Sequence, residues 1–119
     1  MIGNAGTDTL TGGDGNDTFK FDAASDSSAT LALSDVITDF MHGTDKIDLS
    51  AIDANTGSGD DQAFAFGGTN TDTVANSVTW SESGGNTNLY IDNTGDATPD
   101  MQIILTGLGL GLTATDFIL

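Results

Sequence analysis

Aspartates recur at a fixed interval near the start of this chain, within units rich in glycine. Residues 3–11 read GNAGTDTLT and residues 12–20 read GGDGNDTFK. The second unit matches the pattern GGxGxDxUx, with U a large apolar residue, at every fixed position, and the first departs from it only at Asn4. Glycines permit sharp turns through positive φ, where backbone carbonyls and a short carboxylate supply the oxygen ligands that Ca²⁺ prefers. Two such units in tandem predict metal-binding turns at Asp8 and Asp17.

The last three residues of each unit predict a minimal β-strand. Alternation along a strand points the middle side chain to one face of the sheet and its neighbours to the other. The middle residues are Leu10 and Phe19. We therefore expect Leu10 and Phe19 in the hydrophobic core.

The same frame continues beyond the second unit, although the glycines are lost. Aspartate recurs at Asp26 and Asp35, and the apolar position is kept at Ile37 but not at Ser28. The terminal units of a repeat stack are commonly atypical. We expect residues 21–38 to form degenerate final coils that cap the stack.

The charge of the chain favours cation binding. Eighteen acidic residues against two lysines give a net charge of -16, and a compact chain with this charge repels itself unless cations neutralise it. The same charge disfavours nucleic acid as a partner. Seventeen of the acidic residues are Asp and only Glu82 is Glu, whereas an acidic surface that serves solubility alone normally draws on Glu as well. The bias toward Asp favours tight turns and metal loops.

Length and composition limit the remaining classes of protein. With 119 residues, the chain is expected to form one domain. It has no cysteine, hence no disulfide or thiolate metal site, and no apolar run approaches the roughly 20 residues of a membrane span. The start does not resemble a secretory signal peptide. Because the first repeat begins at residue 3 without a capping unit, we expect further sequence upstream in a longer parent protein.

The rest of the chain predicts short β-strands. Apolar-rich runs alternate with clusters of Gly, Asn, Asp and Thr, and no segment sustains a helical stripe. The cluster at residues 83–86 predicts a hairpin turn between the strands that hold Trp80 and Tyr90. The predicted strands are 36–40, 46–49, 63–66, 77–81, 88–92, 101–105 and 116–119.

Together these landmarks resemble the C-terminal domain of serralysin-type secreted metalloproteases and the related RTX domains exported by type I secretion. The resemblance covers residues 12–119 and rests on DTF at 17–19, DVITDF at 35–40, GTDKIDLS at 43–50 and YIDNTGD at 90–96, in the family's order. It implies an all-β fold that binds Ca²⁺, with a short parallel β-roll running into an antiparallel jelly-roll-like β-sandwich.

The resemblance implies one domain with two parts. Residues 3–38 are expected to hold the β-roll repeats and capping coils, and residues 39–119 the antiparallel part, which ends in a C-terminal secretion signal.

The resemblance also implies a ligand set in which turns eighteen residues apart share one Ca²⁺. The second turn of each pair has no glycine, so these sites are expected to be weaker or hydrated. The carboxylate pairs are Asp8 with Asp26 and Asp17 with Asp35, and the carbonyl ligands are those of Asn4 and Gly6 in one site and of Gly13 and Gly15 in the other.

The C-terminus resembles a type I secretion signal, in which an acidic residue precedes several apolar ones at the very end. The chain closes with Asp116, Phe117, Ile118 and Leu119. The same residues fit a last core strand, and both interpretations can hold because a signal is read unfolded and packs afterwards. The implied location is extracellular, reached by the type I route of Gram-negative bacteria. The implied partners are the type I secretion apparatus and an upstream passenger or catalytic domain.

Other candidate sites are weaker. The loop at 92–100 spaces its carboxylates like an EF-hand, but Ala97 stands where glycine is needed and Ile103 where Glu is needed. This composition favours an Asp-rich turn over an additional cation site. His42, the only histidine, precedes Gly43 and is expected to be a solvated turn residue. The sequence contains no HExxH motif, no GxSxG motif and no cysteine nucleophile.

The sequence therefore predicts a non-catalytic module that folds on binding Ca²⁺ and carries the secretion signal of a larger secreted protein. The alternative is a Ca²⁺-dependent adhesion or polysaccharide-binding module, as the similar repeats of secreted alginate epimerases suggest. A stand-alone enzyme is disfavoured, because the repeat frame gives the aspartates another role.

Overall fold

Short strands make up most of the regular structure of this protein. The computed structural model describes residues 6–30, 33–54, 63–69 and 74–119, and it contains no α-helix within them. The strands in these residues are β1 (Thr9–Leu10), β2 (Thr18–Lys20), β3 (Asp35–Ile37), β4 (Lys46–Asp48), β5 (Ala65–Thr69), β6 (Ser77–Ser83), β7 (Asn86–Ile91), β8 (Met101–Thr106) and β9 (Phe117–Ile118).

The strands form two sheets, and three pairs of strands, each with one strand in either sheet, stack in parallel. One sheet has the order β1-β3-β8-β7-β6-β5 and the other the order β2-β4-β9. The pairs β1/β3, β3/β8, β2/β4 and β4/β9 are all parallel. We call β1 with β2 coil 1, β3 with β4 coil 2, and β8 with β9 coil 3. Each coil crosses from the first sheet to the second through one turn.

The spacing between coils 1 and 2 differs from the eighteen residues expected. Thr9 pairs with Val36 and Thr18 with Lys46, so the repeat lengths are 27 and 28 residues. The prediction of degenerate coils at 21–38 is therefore wrong for the part of this segment that precedes β3. Because the segment between β2 and β3 has no glycine to turn the backbone, it forms a 3-10 helix at Ala24–Asp26, followed by a single antiparallel bridge from Ser28 to Met101.

The end of the chain returns to the parallel stack. Val36 pairs with Ile104 and Ile47 with Phe117, so coil 3 extends the parallel stack. The all-β class with parallel and antiparallel parts is confirmed. Its parallel part, however, includes β8 and β9, which the sequence analysis placed in the antiparallel part.

The antiparallel part is a meander of β6, β7 and β8 within the larger sheet. Gly84 and Gly85 join β6 to β7 with φ of 63° and 82°, the positive values that a two-residue hairpin turn of this type requires. This confirms the hairpin predicted between Trp80 and Tyr90. β5 pairs parallel with β6 at the edge of the sheet, with an irregular register between Phe66 and Gly68.

The core lies between the two sheets and contains the residues that the repeat frame placed there. Leu10 is 7% exposed and Phe19 is fully buried. The ring centroid of Phe19 lies 6.4 Å from that of Phe40, and the ring of Phe66 lies 5.4 Å from that of Phe117. Aromatic contacts therefore join coil 1 to coil 2, and join β5 to the last strand.

Candidate metal centre

The glycines of the two repeat units adopt the backbone conformation that metal-binding turns need. Gly6, Gly13 and Gly15 have φ of 129°, 88° and 100°, which side-chain-bearing residues rarely adopt. Asn4, the other expected carbonyl ligand, lies outside the described residues.

Asp8 meets Asp35 across the β1/β3 pair. The backbone N–H of Asp8 donates to Oδ1 of Asp35 over 2.8 Å, and the N–H of Val36 donates to the carbonyl oxygen of Asp8 over 2.9 Å. Oδ2 of Asp8 and Oδ2 of Asp35 are both buried and have no hydrogen-bond partner. A buried carboxylate oxygen without a donor is costly unless a cation faces it.

Asp26 lies near enough to Asp35 for its charge to act on that carboxylate, but it does not form a converging trio with Asp8 and Asp35, because among the described residues only the aspartates of a later loop bring three carboxylate oxygens within 4.8 Å of one another. It ends the 3-10 helix, and its Oδ2 accepts hydrogen bonds from the N–H groups of Asp22 and Ala23 over 2.9 and 3.1 Å. Burial raises the pKa of Asp35 to about 6; the Asp8 N–H opposes this, whereas the charges of Asp8 and Asp26 add to it.

Asp17 occupies the equivalent position in the coil 1 turn, against Asp45 of coil 2. The Asp17 N–H donates to Oδ1 of Asp45 over 3.0 Å, and Oδ2 of Asp17 is buried without a partner. This carboxylate lies directly over Gly12, where an added Cβ would stand 2.5 Å from Oδ2. The turn therefore needs glycine at position 12 for space. The expected partner of Asp17 was Asp35, but the strand register sets Asp35 beside Asp8 instead.

Other aspartates hold the turns together by accepting backbone hydrogen bonds. Asp39 accepts from the N–H groups of Gly12 and Gly13 over 2.9 and 2.7 Å, and these bonds lower its pKa. Oδ2 of Asp45 accepts from the N–H of Met41 over 2.9 Å. Sequence reasoning missed these roles, although Asp39 lies in the DVITDF segment that carries the family resemblance.

Asp116, the first residue of the expected secretion signal, is buried and fully engaged. Its carboxylate accepts from the N–H of Gly43 over 3.0 Å and from the N–H of Thr113 over 2.9 Å. It also lies 2.6 Å from Nδ1 of His42. Burial alone would raise the pKa of Asp116, but these contacts outweigh it and hold the pKa below its ordinary value. His42 is a half-exposed turn residue as expected, but its ring has a specific partner that the sequence did not indicate.

The remaining residues of the expected signal form the last strand, β9, and the residue after it. Phe117 is 7% exposed and Ile118 is 38% exposed, and Leu119 packs against the core at its edge. The motif is therefore part of the folded roll.

The loop between β7 and β8 gathers a second set of carboxylates. Asp92, Asp96 and Asp100 each offer one oxygen within 4.8 Å of the others. Asp92 is fully buried and accepts hydrogen bonds from backbone N–H groups of the same loop. Burial alone would raise the pKa of Asp92, but these hydrogen bonds outweigh burial and lower the pKa. The donors are the N–H groups of Thr94, Gly95 and Ala97, at 2.8, 2.8 and 2.6 Å. The loop is rich in turn-forming hydrogen bonds, but it also holds the group of described carboxylates whose oxygens lie close enough to hold a metal ion, a site that the sequence analysis disfavoured.

Comparison with known proteins matches this chain to one peptidase family. The family model described as Peptidase M10 serralysin C terminal matches residues 1–119. Over 90 residues the chain is 38% identical to Serralysin A and 37% identical to Serralysin C of Dickeya chrysanthemi, matches that cover 76% of this chain. They cover 18% and 17% of those proteins, so the chain spans about a sixth of the length of these relatives.

Solved structures with a similar fold come from a mannuronan C5-epimerase. The AlgE6R2 and AlgE6R3 subunits of the Azotobacter vinelandii mannuronan C5-epimerase each give a TM-score of 0.63 over 98% of this chain. Their sequence identities are 33% and 27%, and the matches cover 67% and 60% of those chains. Within the residues described here, no helix is long and apolar enough to cross a membrane.

Proposed function

Since the chain belongs to the serralysin C-terminal family of M10 peptidases, we propose that it is a non-catalytic, calcium-binding RTX module of a larger secreted protein. The observation that carries this proposal is the set of buried carboxylate oxygens without a partner at Asp8, Asp17 and Asp35. All three lie in or beside the turns that the glycine repeats build. Ca²⁺ prefers such oxygen ligands, and when bound it would neutralise charge that the fold otherwise buries unpaired.

The proposed ligands are the aspartates of the repeat frame together with backbone carbonyls of the glycine turns. The positive φ values of the turn glycines support this assignment. The set comprises the carboxylates of Asp8, Asp17, Asp26 and Asp35 and the carbonyls of Asn4, Gly6, Gly13 and Gly15.

Calcium binding of this kind is coupled to folding. The ligands come together only in the folded chain, so the binding free energy adds to the free energy of unfolding. The net charge of -16 opposes compaction without cations. A chain that orders only on meeting Ca²⁺ stays extended in a cytosol poor in Ca²⁺ and is trapped once outside the cell.

We further propose that residues 116–119 are the export signal read by a type I secretion apparatus, with the passenger or catalytic domain upstream. The supporting observation is an acidic residue followed by apolar ones at the end of a chain of this family. The same residues hold coil 3, so the signal is read before folding, and its first two residues, Asp116 and Phe117, are buried afterwards.

The test is secretion of a passenger fused ahead of residue 1 in a cell with a matching transporter. Deleting residues 116–119 is expected to abolish export, whereas Phe19→Ala, which destabilises the roll but keeps the motif, is expected to export and then misfold. Passenger is measured in culture medium and cell lysate. Undiminished export of the truncated fusion would overturn the signal, and equal loss with Phe19→Ala would show that export needs the fold and not the motif.

A second candidate function is Ca²⁺-dependent polysaccharide binding, favoured by the likeness to the mannuronan epimerase subunits. Tyr90 on β7 is partly exposed and could contact a sugar ring, whereas the residues that pair with it across the meander, Thr79 and Gln102, are buried. Titration with alginate oligosaccharides, with and without Ca²⁺, tests this function, and Tyr90→Ala is the matched variant.

A further inference from the structure

We propose that coil 2 carries a latch that docks the C-terminal motif, residues 116–119, and withholds it from the export apparatus once the module has folded. The latch consists of His42, Gly43 and Lys46, which hold the 3-10 helix at Ala114–Asp116 directly before β9. This inference rests on the proposed function, because the motif needs to be withheld only if a transporter reads it. The contacts that form the latch do not depend on any transporter.

The first support is the place where the chain uses its few basic side chains. The sequence has two lysines and one histidine against eighteen acidic residues. Nζ of Lys46 donates to the carbonyl oxygen of Thr115 over 2.5 Å, and Nδ1 of His42 lies 2.6 Å from Oδ2 of Asp116. Two of the three basic side chains therefore contact successive residues of the segment that leads into β9.

The second support is the way coil 2 holds the carboxylate of Asp116, which is buried. The N–H of Gly43 donates to its Oδ1 over 3.0 Å, and the ring of His42 faces its Oδ2. An ionised carboxylate only accepts hydrogen bonds, so Nδ1 of His42 carries the hydrogen whether the ring is neutral or charged. Hydrogen bonds to a charged group are stronger than those between neutral groups, so both oxygens are firmly held.

The third support is how little else holds the end of the chain. β9 has only two residues, and among the described strands it pairs only with β4. The N–H of Leu49 donates to the carbonyl oxygen of Ile118 over 2.9 Å, and the ring of Phe117 packs near that of Phe66. One backbone hydrogen bond adds little net stability. The docking of β9 therefore depends on the latch that precedes it.

These contacts define a docked and a released state of the C-terminus. In the docked state Asp116 and Phe117 are buried, so a transporter that reads an extended motif has no access to them. In the released state the motif is accessible, while the meander of β6, β7 and β8 stays paired because it contains no residue of the motif. Loss of the latch contacts shifts the population toward the released state.

The first experiment measures how fast a carboxypeptidase removes Leu119, Ile118 and Phe117 from the folded full chain in saturating Ca²⁺, followed by mass spectrometry. The double variant His42→Ala/Lys46→Ala is expected to be trimmed at least about tenfold faster than wild type, because hydrogen bonds to a charged carboxylate and to a cation are lost. Lys20→Ala removes the other lysine, which pairs with Asp22, and is the matched control. It is expected to be trimmed at the wild-type rate.

A variant outside the latch calibrates trimming that proceeds through global unfolding. Phe19→Ala weakens the core and leaves every latch contact in place, so it relates the trimming rate to the free energy of unfolding. The double variant is expected to be trimmed faster than this relation gives. A double variant that follows the same relation, or that is trimmed at the wild-type rate, would overturn the latch.

The second experiment measures binding of the full chain to a type I transporter that exports the passenger fusion. Wild type is expected to bind in chelator and not in Ca²⁺, whereas the double variant is expected to bind in Ca²⁺ as well. Equal binding of wild type in chelator and in Ca²⁺ would overturn this inference and leave the proposed function standing. No binding of wild type in either condition, with undiminished export of the fusion that lacks residues 116–119, would overturn the proposed export signal.

Discussion

Nδ1 of His42 lies 2.6 Å from Oδ2 of Asp116, and this contact joins the turn of coil 2 to the 3-10 helix at Ala114–Asp116, which directly precedes β9. Asp116 also accepts the N–H of Gly43, the residue after His42. One carboxylate near the C-terminus therefore organises a turn more than seventy positions earlier. The proposed export motif and the closure of the roll therefore share the same side chain.

The lowered pKa of Asp116 predicts an acid-sensitive contribution to stability. Because the folded pKa lies below the ordinary carboxyl value, the stabilisation is complete above that value and is lost as pH falls through the folded pKa. Asp116→Asn is expected to cost about 2 kcal/mol of unfolding free energy at neutral pH, as for a hydrogen-bonded charge. Denaturant unfolding across pH measures it.

The difference between wild type and Asp116→Asn should shrink toward zero in acid. The exposed Asp14→Asn is the control, and it should stay within about 0.5 kcal/mol of wild type throughout. A cost for Asp116→Asn that does not change with pH would contradict the role of its charge.

Removal of calcium is expected to disorder the roll. Far-UV circular dichroism in chelator should show loss of β-structure, and Ca²⁺ in the range of about 0.1 to 1 mM, typical of extracellular modules, should restore it. Because coil 3 stacks on coil 2, which stacks on coil 1, the loss should extend to the C-terminal strands. A spectrum and melting temperature that are the same in chelator and in Ca²⁺ would contradict calcium-linked folding.

Gly12→Ala is expected to act through the carboxylate of Asp17. The new Cβ would stand 2.5 Å from Oδ2 and 2.7 Å from Cγ of Asp17, so the carboxylate must move. We expect weaker Ca²⁺ binding and a loss of about 1 to 3 kcal/mol, the usual cost of overpacking. Calcium titration of Gly12→Ala beside Asp17→Asn measures this, and unchanged affinity in Gly12→Ala would argue against Asp17 as a ligand.

Phe19→Ala tests the core of the roll. The side chain is fully buried and packs near Phe40, so its removal is expected to cost about 3 to 5 kcal/mol. Chemical denaturation in saturating Ca²⁺ isolates the packing effect from metal binding. Lys20→Ala, at the half-exposed next position, is the control and should change stability by less than about 1 kcal/mol. A similarly small cost at Phe19 would contradict its place in the core.

Local features were predictable from the sequence because local residues determine them. The nonapeptide frame buries Leu10 and Phe19 through strand alternation, and two glycines specify the hairpin at Gly84 and Gly85. The positive φ of Gly13 and Gly15 follows from the same frame.

Long-range relationships were not predictable in this way. The register of β1 against β3 depends on the length of chain that the segment between β2 and β3 takes up. This segment has no glycine and no repeat pattern, so the sequence does not indicate that a 3-10 helix stands there in place of a coil. The return of β8 and β9 to the parallel stack pairs residues remote in sequence, such as Val36 with Ile104. The contact of His42 with Asp116 depends on that return, so neither residue alone could indicate it.

The position of coil 3 at the end of the chain also bears on folding kinetics. Residues 49–100, which include β5, β6 and β7, separate β4 from β8, so the pairing of coil 3 with coil 2 is non-local, and such pairing slows folding. If the C-terminus leaves the cell first, coil 3 emerges before coils 1 and 2 and has nothing to stack on. The topology therefore delays the final folding step until the whole segment has been released, whatever the calcium concentration outside.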